Sequence, residues 1–256
     1  MLLGGIHNEE VTAFSEWLIA QIRKLPVEIR LKTEVTPALV EKEKPDAVIL
    51  AIGGTFVTPR IPGIDRDNVF SSKDMLEMMH GNSLNKGILF RAMAPFARHV
   101  ITASTVRQLL GSNFPIKQRV AIIGGQFPGC STALLLAEKG KKVTIMEESD
   151  LIGRDMEANT MAVLKAEVRA GNVEVLTSTR VSEINAKGVV IIDAQGNRAV
   201  HETETVIVAL GLAPTASKLP TELKGKVREL HLIGDARSFL RIGNAIAEGY
   251  VTAWSL

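Results

Sequence analysis

The chain has a single cysteine, Cys130, so it cannot close an internal disulfide, a cysteine-held zinc site or an iron–sulfur cluster from its own residues. Aromatic residues are only 4 % of the sequence, which leaves a mainly aliphatic core. Charge is nearly balanced, at +2, so net charge gives no reason to expect a nucleic-acid partner. No apolar run reaches the roughly 18–20 residues needed to span a bilayer. Met1-Leu2-Leu3-Gly4-Gly5 lacks the charged start of a secretory signal. A reducing, cytoplasmic setting is expected, and the N-terminus reads as a chain entered part-way through. The five histidines (His7, His80, His99, His201, His231) show no ligand spacing and none adjoins a nucleophile, so no metal site is expected. His231 lies in an apolar strand and reads as a core histidine. Acidic residues are absent from Met78 to Ala137, while Lys86, Arg91, Arg98, Arg107, Lys117 and Arg119 fall in that span.

Against these absences stands Arg119-Val120-Ala121-Ile122-Ile123-Gly124-Gly125-Gln126-Phe127-Pro128-Gly129. It reads as a buried strand, a glycine turn and the start of a helix. A second apolar run, Val143–Met146, ends in Glu147, eighteen residues past Gly129. This is the layout of a dinucleotide-binding βαβ unit. Gly124 would make the tight turn and Gly129 would let helix and strand pack. Gly125 lies between them. Gln126 occupies the central position, where a side chain crowds the space of a diphosphate. The competing reading is a βαβ turn that no longer holds a nucleotide tightly, although the helix N-terminus still attracts anions. Glu147 is placed to accept both ribose hydroxyls, and the absence of an adjacent cation before Arg154 favours NAD(H) over NADP(H). The plainer alternative for Glu147 is a solvated strand end.

Other strands end in the same punctuation. Ala47–Ile52 is too continuously apolar to face water and runs into Gly53-Gly54. Thr205–Leu210 ends at Gly211 and mirrors it, which hints at two similar domains. Leu230–Ile233 ends in Gly234-Asp235, where the carboxylate would serve either a sugar or ribityl hydroxyl or simply an N-cap. Helices are expected over Asn8–Leu25, Ser71–Met79 (capped by Ser71 or Ser72), Leu84–Leu110, Pro128–Gly140, Asp155–Ala170 and Ile242–Trp254. Short strands are expected at Val27–Leu31, Val173–Leu176, Arg180–Asn185 and Gly188–Ile192, with a hairpin turn at Gln195-Gly196-Asn197. Cys130, at a helix start, would either be acidified by the helix dipole or serve as a small packing residue; the second is preferred. The basic stretch 84–119 reads as solvated surface, a membrane-surface helix, a site for a phosphorylated substrate such as a CoA ester, or a protein interface. Among the active readings the interface is preferred.

Together these segments resemble the two-dinucleotide-binding-domain flavoproteins. More narrowly they resemble the C-terminal region of the 2-enoate reductase, 2,4-dienoyl-CoA reductase and trimethylamine dehydrogenase group. The resemblance rests on Asp46–Thr55 with Ile61-Pro62-Gly63-Ile64-Asp65, on Gly124–Gly129 with Cys130, on Thr205–Gly211 with Pro214, and on His231–Asp235 with Ala245–Gly249. It implies an α/β fold of two Rossmann-like three-layer domains, with an NAD(H) domain inserted into a truncated FAD domain. The expected boundaries are 1–80 with 229–256 for the FAD domain, 81–115 for a basic helical insert, and 116–228 for the NAD(H) domain. The resemblance implies FAD contacts from Gly53, Gly54, Gly234 and Asp235, and NADH contacts from Gly124, Gly125, Gly129 and Glu147. Gly211 joins the cofactor-binding set, and no acid–base catalyst is expected.

In the full-length family, an N-terminal barrel carries FMN and a 4Fe-4S cluster, and a first glycine turn holds the FAD pyrophosphate. None of these is in this sequence, so the chain is expected to be a fragment, inactive alone. The missing barrel is then an expected partner, and a homo-oligomer is left open. The expected activity is hydride transfer from NADH to FAD, for reduction of an activated C=C bond elsewhere in the enzyme. The alternative is a non-catalytic nucleotide-binding or protein-docking module. A dithiol reductase is disfavoured by the single cysteine.

Overall fold

The computed structural model describes residues 9–74, 112–113, 115–238 and 242–256. In chain order the elements are α1 (Glu9–Ile22), α2 (Pro37–Glu43), β1 (Ala47–Leu50), β2 (Gly54–Phe56), β3 (Val69–Ser71), β4 (Arg119–Ile123), α3 (Phe127–Glu138), β5 (Lys142–Met146) and α4 (Ala158–Ala170). There follow β6 (Glu174–Leu176), β7 (Arg180–Ile184), β8 (Gly188–Ile192), β9 (Arg198–Glu202), β10 (Thr205–Val208), β11 (Leu212–Pro214), α5 (Leu219–Leu223), β12 (Glu229–Leu232), a 3-10 turn (Gly234–Ala236) and α6 (Ile242–Ser255). The expected Leu84–Leu110 helix and the insert 81–115 lie outside the described residues, apart from a few at the insert's end.

The chain divides into two compact units, Met1–Gln21 with Thr58–Leu210, and Ile22–Val57 with Gly211–Leu256. In the larger, five parallel strands run in the order β3-β10-β4-β5-β6. Their side chains alternate between two faces. Val120, Ile122, Val143, Ile145 and Ile207 pack with Ala133, Leu136, Leu164 and Val168 from α3 and α4. Ala121, Ile123, Met146, Val206 and Val208 pack instead with Val181, Ile184 and Val189 of the antiparallel sheet β7-β8-β9. The layers are therefore helix, parallel sheet and antiparallel sheet, a mixed α/β Rossmann-like fold. The Ile61–Asp65 turn packs on this meander, with the Ile184 amide donating to the Pro62 carbonyl at 2.8 Å. A Cβ at Gly63, whose φ is +85°, would lie 1.9 Å from the Ile184 oxygen.

The smaller unit holds two two-stranded sheets, β1-β12 parallel and β2-β11 antiparallel. Its core gathers Val40, Leu50 and Leu223, with Leu230 and Leu232 against them.

Four expectations change. Thr58–Asp74, expected with the flavin domain, joins the larger unit because Val69–Ser71 pairs in register with Val206–Val208. Gly211–Arg228, expected with the NAD(H) domain, joins the smaller unit because Leu212–Pro214 pairs with Gly54–Phe56. Val27–Leu31 is not a strand: it has no partner strand among the described residues, and Leu31 is 81 % exposed. Asn8–Leu25 yields α1, whose residues 9–21 belong to the larger unit rather than to the flavin domain expected for them, with Phe14 and Leu18 exposed. Ser71 caps the helical residues after β3: its amide and hydroxyl donate to Asp74 and its oxygen accepts from the Asp74 amide.

Candidate functional site

In the larger unit the site grows from the register of β4 and β5. Ile123 lies opposite Met146, so Gly124 and Glu147 emerge side by side, and the Gly124 amide donates to the Met146 carbonyl at 2.9 Å. Gly124 has φ +107°, and a Cβ there would sit 2.8 Å from the Ala209 oxygen. A Cβ at Gly129 would lie 1.8 Å from the Gly124 oxygen, so α3 reaches the turn only because residue 129 has no side chain. A Cβ at Gly125 would meet Ile152 at 2.6 Å and Glu147 at 2.9 Å. All three glycines are thus demanded by neighbours within the chain.

Glu147 is 8 % exposed. One carboxylate oxygen accepts from the Gly125 amide at 2.6 Å; the other accepts from the Ser149 amide at 2.9 Å and hydroxyl at 2.7 Å. The carboxylate is therefore buried and bonded rather than a solvated strand end. The arrangement ties an acid at the end of one parallel strand to the glycine turn of the next. Both oxygens keep lone-pair capacity for further donors.

Gln126 is the N-cap residue of α3, but its side chain does not cap the helix. Its Oε1 accepts from the Asp155 amide at 3.1 Å. The capping role falls to Asp155, whose two oxygens accept from the Phe127 amide at 3.1 and 3.2 Å. Cys130 is buried and its thiol donates to the Gly125 carbonyl at 3.2 Å. Burial, with the Asp155 and Glu147 charges adding, pushes the thiol up to about 12. Desolvation outweighs the helix dipole, so Cys130 is the packing residue.

In the smaller unit Gly53 and Gly211, with φ +70° and +77°, flank the β2–β11 ribbon. The Thr215 amide donates to the Gly53 carbonyl at 3.3 Å and the Val57 amide to the Gly211 carbonyl at 3.1 Å. A Cβ at Gly54 would sit 2.8 Å from the Ala213 oxygen. The Ile233 amide donates to the Leu50 carbonyl, which sets Gly234 beside the end of β1. Gly234 has φ +61°, and its amide donates to Glu248 of α6 at 2.7 Å; Arg237 pairs with the same carboxylate. Asp235 follows, half-buried in the 3-10 turn. Gly53, Gly54, Gly234 and Asp235 therefore gather at the C-terminal ends of β1 and β12, whereas Gly211 lies at the other end of the β2–β11 ribbon, beside Val57. Gly124, Gly125, Gly129 and Glu147 gather at the C-terminal ends of β4 and β5, where α/β sheets bind ligands.

Sequence reasoning missed Asp155 and Glu248. Asp155 lies 28 positions from Phe127, with no local pattern to link them. Glu248 sat within the Ala245–Gly249 segment as part of a resemblance, with no contact assigned.

The pattern of the pyridine nucleotide-disulphide oxidoreductase family matches residues 27–233. An NADH oxidase of Thermoanaerobacter brockii is 30 % identical over 243 residues, which is 95 % of this chain and 33 % of that protein. A cinnamate reductase of Clostridium sporogenes is 26 % identical, over 98 % of this chain and 33 % of its own length. The solved structure of a 2-naphthoyl-CoA reductase in complex with 2-naphthoyl-CoA aligns with a TM-score of 0.63 and 26 % identity, covering 90 % of this chain and 30 % of the other. The chain spans about a third of the length of the curated relatives it matches.

Proposed function

The chain belongs to the pyridine nucleotide-disulphide oxidoreductase family, and from that premise we propose that it is the NADH- and FAD-handling part of a 2-enoate-reductase-like enzyme. The reading is carried by the buried Glu147 carboxylate hydrogen-bonded to the amide of Gly125 in the β4–α3 turn. When bound, NADH supplies a hydride and FAD accepts it, a transfer that asks for proximity and orientation rather than an acid or base. Gly124, Gly125 and Gly129 shape the turn, and Glu147 holds the adenosine ribose through its hydroxyls. Gly53, Gly54, Gly234 and Asp235 would line the flavin side, with Glu248 fixing the Gly234 amide. The names of the cinnamate and naphthoyl-CoA reductases suggest an activated unsaturated substrate, reduced in a part of the enzyme beyond this sequence. The barrel with FMN and a 4Fe-4S cluster is the proposed partner, and cytoplasm the proposed compartment. Among the described residues no helix is long and apolar enough to cross a membrane.

NADH is preferred over NADPH for two reasons. Glu147 would meet a 2′-phosphate with like charge, and the nearby guanidinium of Arg154 is already paired with Asp150. Titration of the chain with each nucleotide at fixed salt tests this. Tighter NADH binding is expected, and clear NADPH preference would contradict the role of Glu147. A second reading, a docking module without turnover, draws on Gln126 and Asp155, which together fill the turn.

A further inference from the structure

The loops after β4 and β5 are laced together across the glycine turn. The Gly153 amide donates to the Gly125 carbonyl at 2.8 Å, and the Asp155 amide to Gln126 Oε1 at 3.1 Å. The Phe127 amide, the first of α3, donates to both oxygens of Asp155. A dinucleotide pyrophosphate would seek that same amide and the positive end of that same helix. Pro128 has no N–H, and the Cys130 amide donates to the Gln126 carbonyl at 3.0 Å. Glu147 consumes the Gly125 amide at 2.6 Å. The helix start is already neutralised by a carboxylate of the chain itself.

We infer that Asp155 is an internal competitor for the nucleotide pyrophosphate and sets the affinity of the site. This rests on the reading that the turn takes a dinucleotide. Phosphate reaches the Phe127 amide only when the Asp155 carboxylate leaves it, and a carboxylate that stays nearby repels the diphosphate. Gln126 is the other half of the clamp. Its Oε1 fixes the Asp155 amide and so keeps the carboxylate aimed at the helix. A glycine at that position would supply no such acceptor. Asp155 is exposed, so its carboxylate can swing into solvent without a buried cost. The clamp is thus displaceable by a ligand with enough negative charge, and it discriminates by charge. Ligands that carry a diphosphate meet the competitor, whereas the nucleoside alone does not.

The test is calorimetric titration of the 256-residue chain and of D155N with NADH and ADP, with adenosine followed by ligand-observed NMR. Asn keeps an oxygen for the Phe127 amide and removes only the charge. Tightening of NADH and ADP by about two- to fivefold, an electrostatic effect of ordinary size for an exposed charge at a helix terminus, is expected, with adenosine unmoved. Unchanged or weaker NADH binding by D155N overturns the competitor while leaving the nucleotide site standing. Equal tightening of adenosine also overturns it, since loop loosening rather than charge would then be responsible. Failure of both forms to bind NADH overturns the nucleotide reading together with the competitor.

Discussion

At the scale of single residues, Cys130 shows how burial decides chemistry. A cysteine at the start of a helix invites the expectation of a reactive thiolate. Here desolvation, reinforced by two nearby carboxylates, pushes the thiol from 9.0 up to about 12. The sign of the stability effect follows. In the unfolded chain the proton leaves near 9.0; in the folded chain it is held until about 12. Between those values the unfolded state binds fewer protons, so stability falls as pH rises through that window. Denaturant midpoints measured from pH 8 to pH 11 should fall with a steeper slope in the parent than in C130S. Equal slopes would mean that the thiol is not protected. The same shift keeps the folded thiol protonated at pH 8, so alkylation should follow unfolding.

The β4–α3 turn is the element on which the site depends, and its weakest point to substitution is Gly129. An alanine there would place Cβ 1.8 Å from the Gly124 oxygen, a clash of backbone with β-carbon that no rotamer relieves. G129A is expected to cost roughly 2–4 kcal/mol, within the range of overpacked or strained sites. Chemical denaturation measures it, and a cost near zero would mean that α3 is not pinned to the turn. This turn was legible because strand, glycine spacing and acid stand close in sequence and each has a local signature. The long apolar strands β4, β5 and β10 were legible for the same reason. What was not legible is pairing at a distance. β2, β3 and β11 are three residues each and become strands only through partners far along the chain. Val27–Leu31 has the composition of a strand and no partner among the described residues, so it stays irregular. Asp155 belongs to the same class, since a cap contributed from 28 positions away leaves no periodic trace.

The whole molecule is unequal in its two parts. In the larger unit two extended cores sandwich a five-stranded parallel sheet; in the smaller, three buried side chains anchor a two-stranded one. Apolar area removed from water is the main favourable contribution to folding, so the larger unit should be the more stable. Amides of Val120–Ile123, Val143–Met146 and Val206–Val208 should therefore exchange with deuterium more slowly than those of Val48–Leu50. Ligand binding sharpens the contrast, because a ligand stabilises only the unit that holds it. If NADH is held by Gly124, Gly125, Gly129 and Glu147, saturation at a hundred times its dissociation constant adds about 2.7 kcal/mol to that unit. Protection should rise across β4, β5 and β10 and stay level in β1 and β12. Uniform protection of both units by NADH would show that the nucleotide's energy is not confined to the β4–β5 turn, and the division of labour proposed for the two sets of glycines would fail with it.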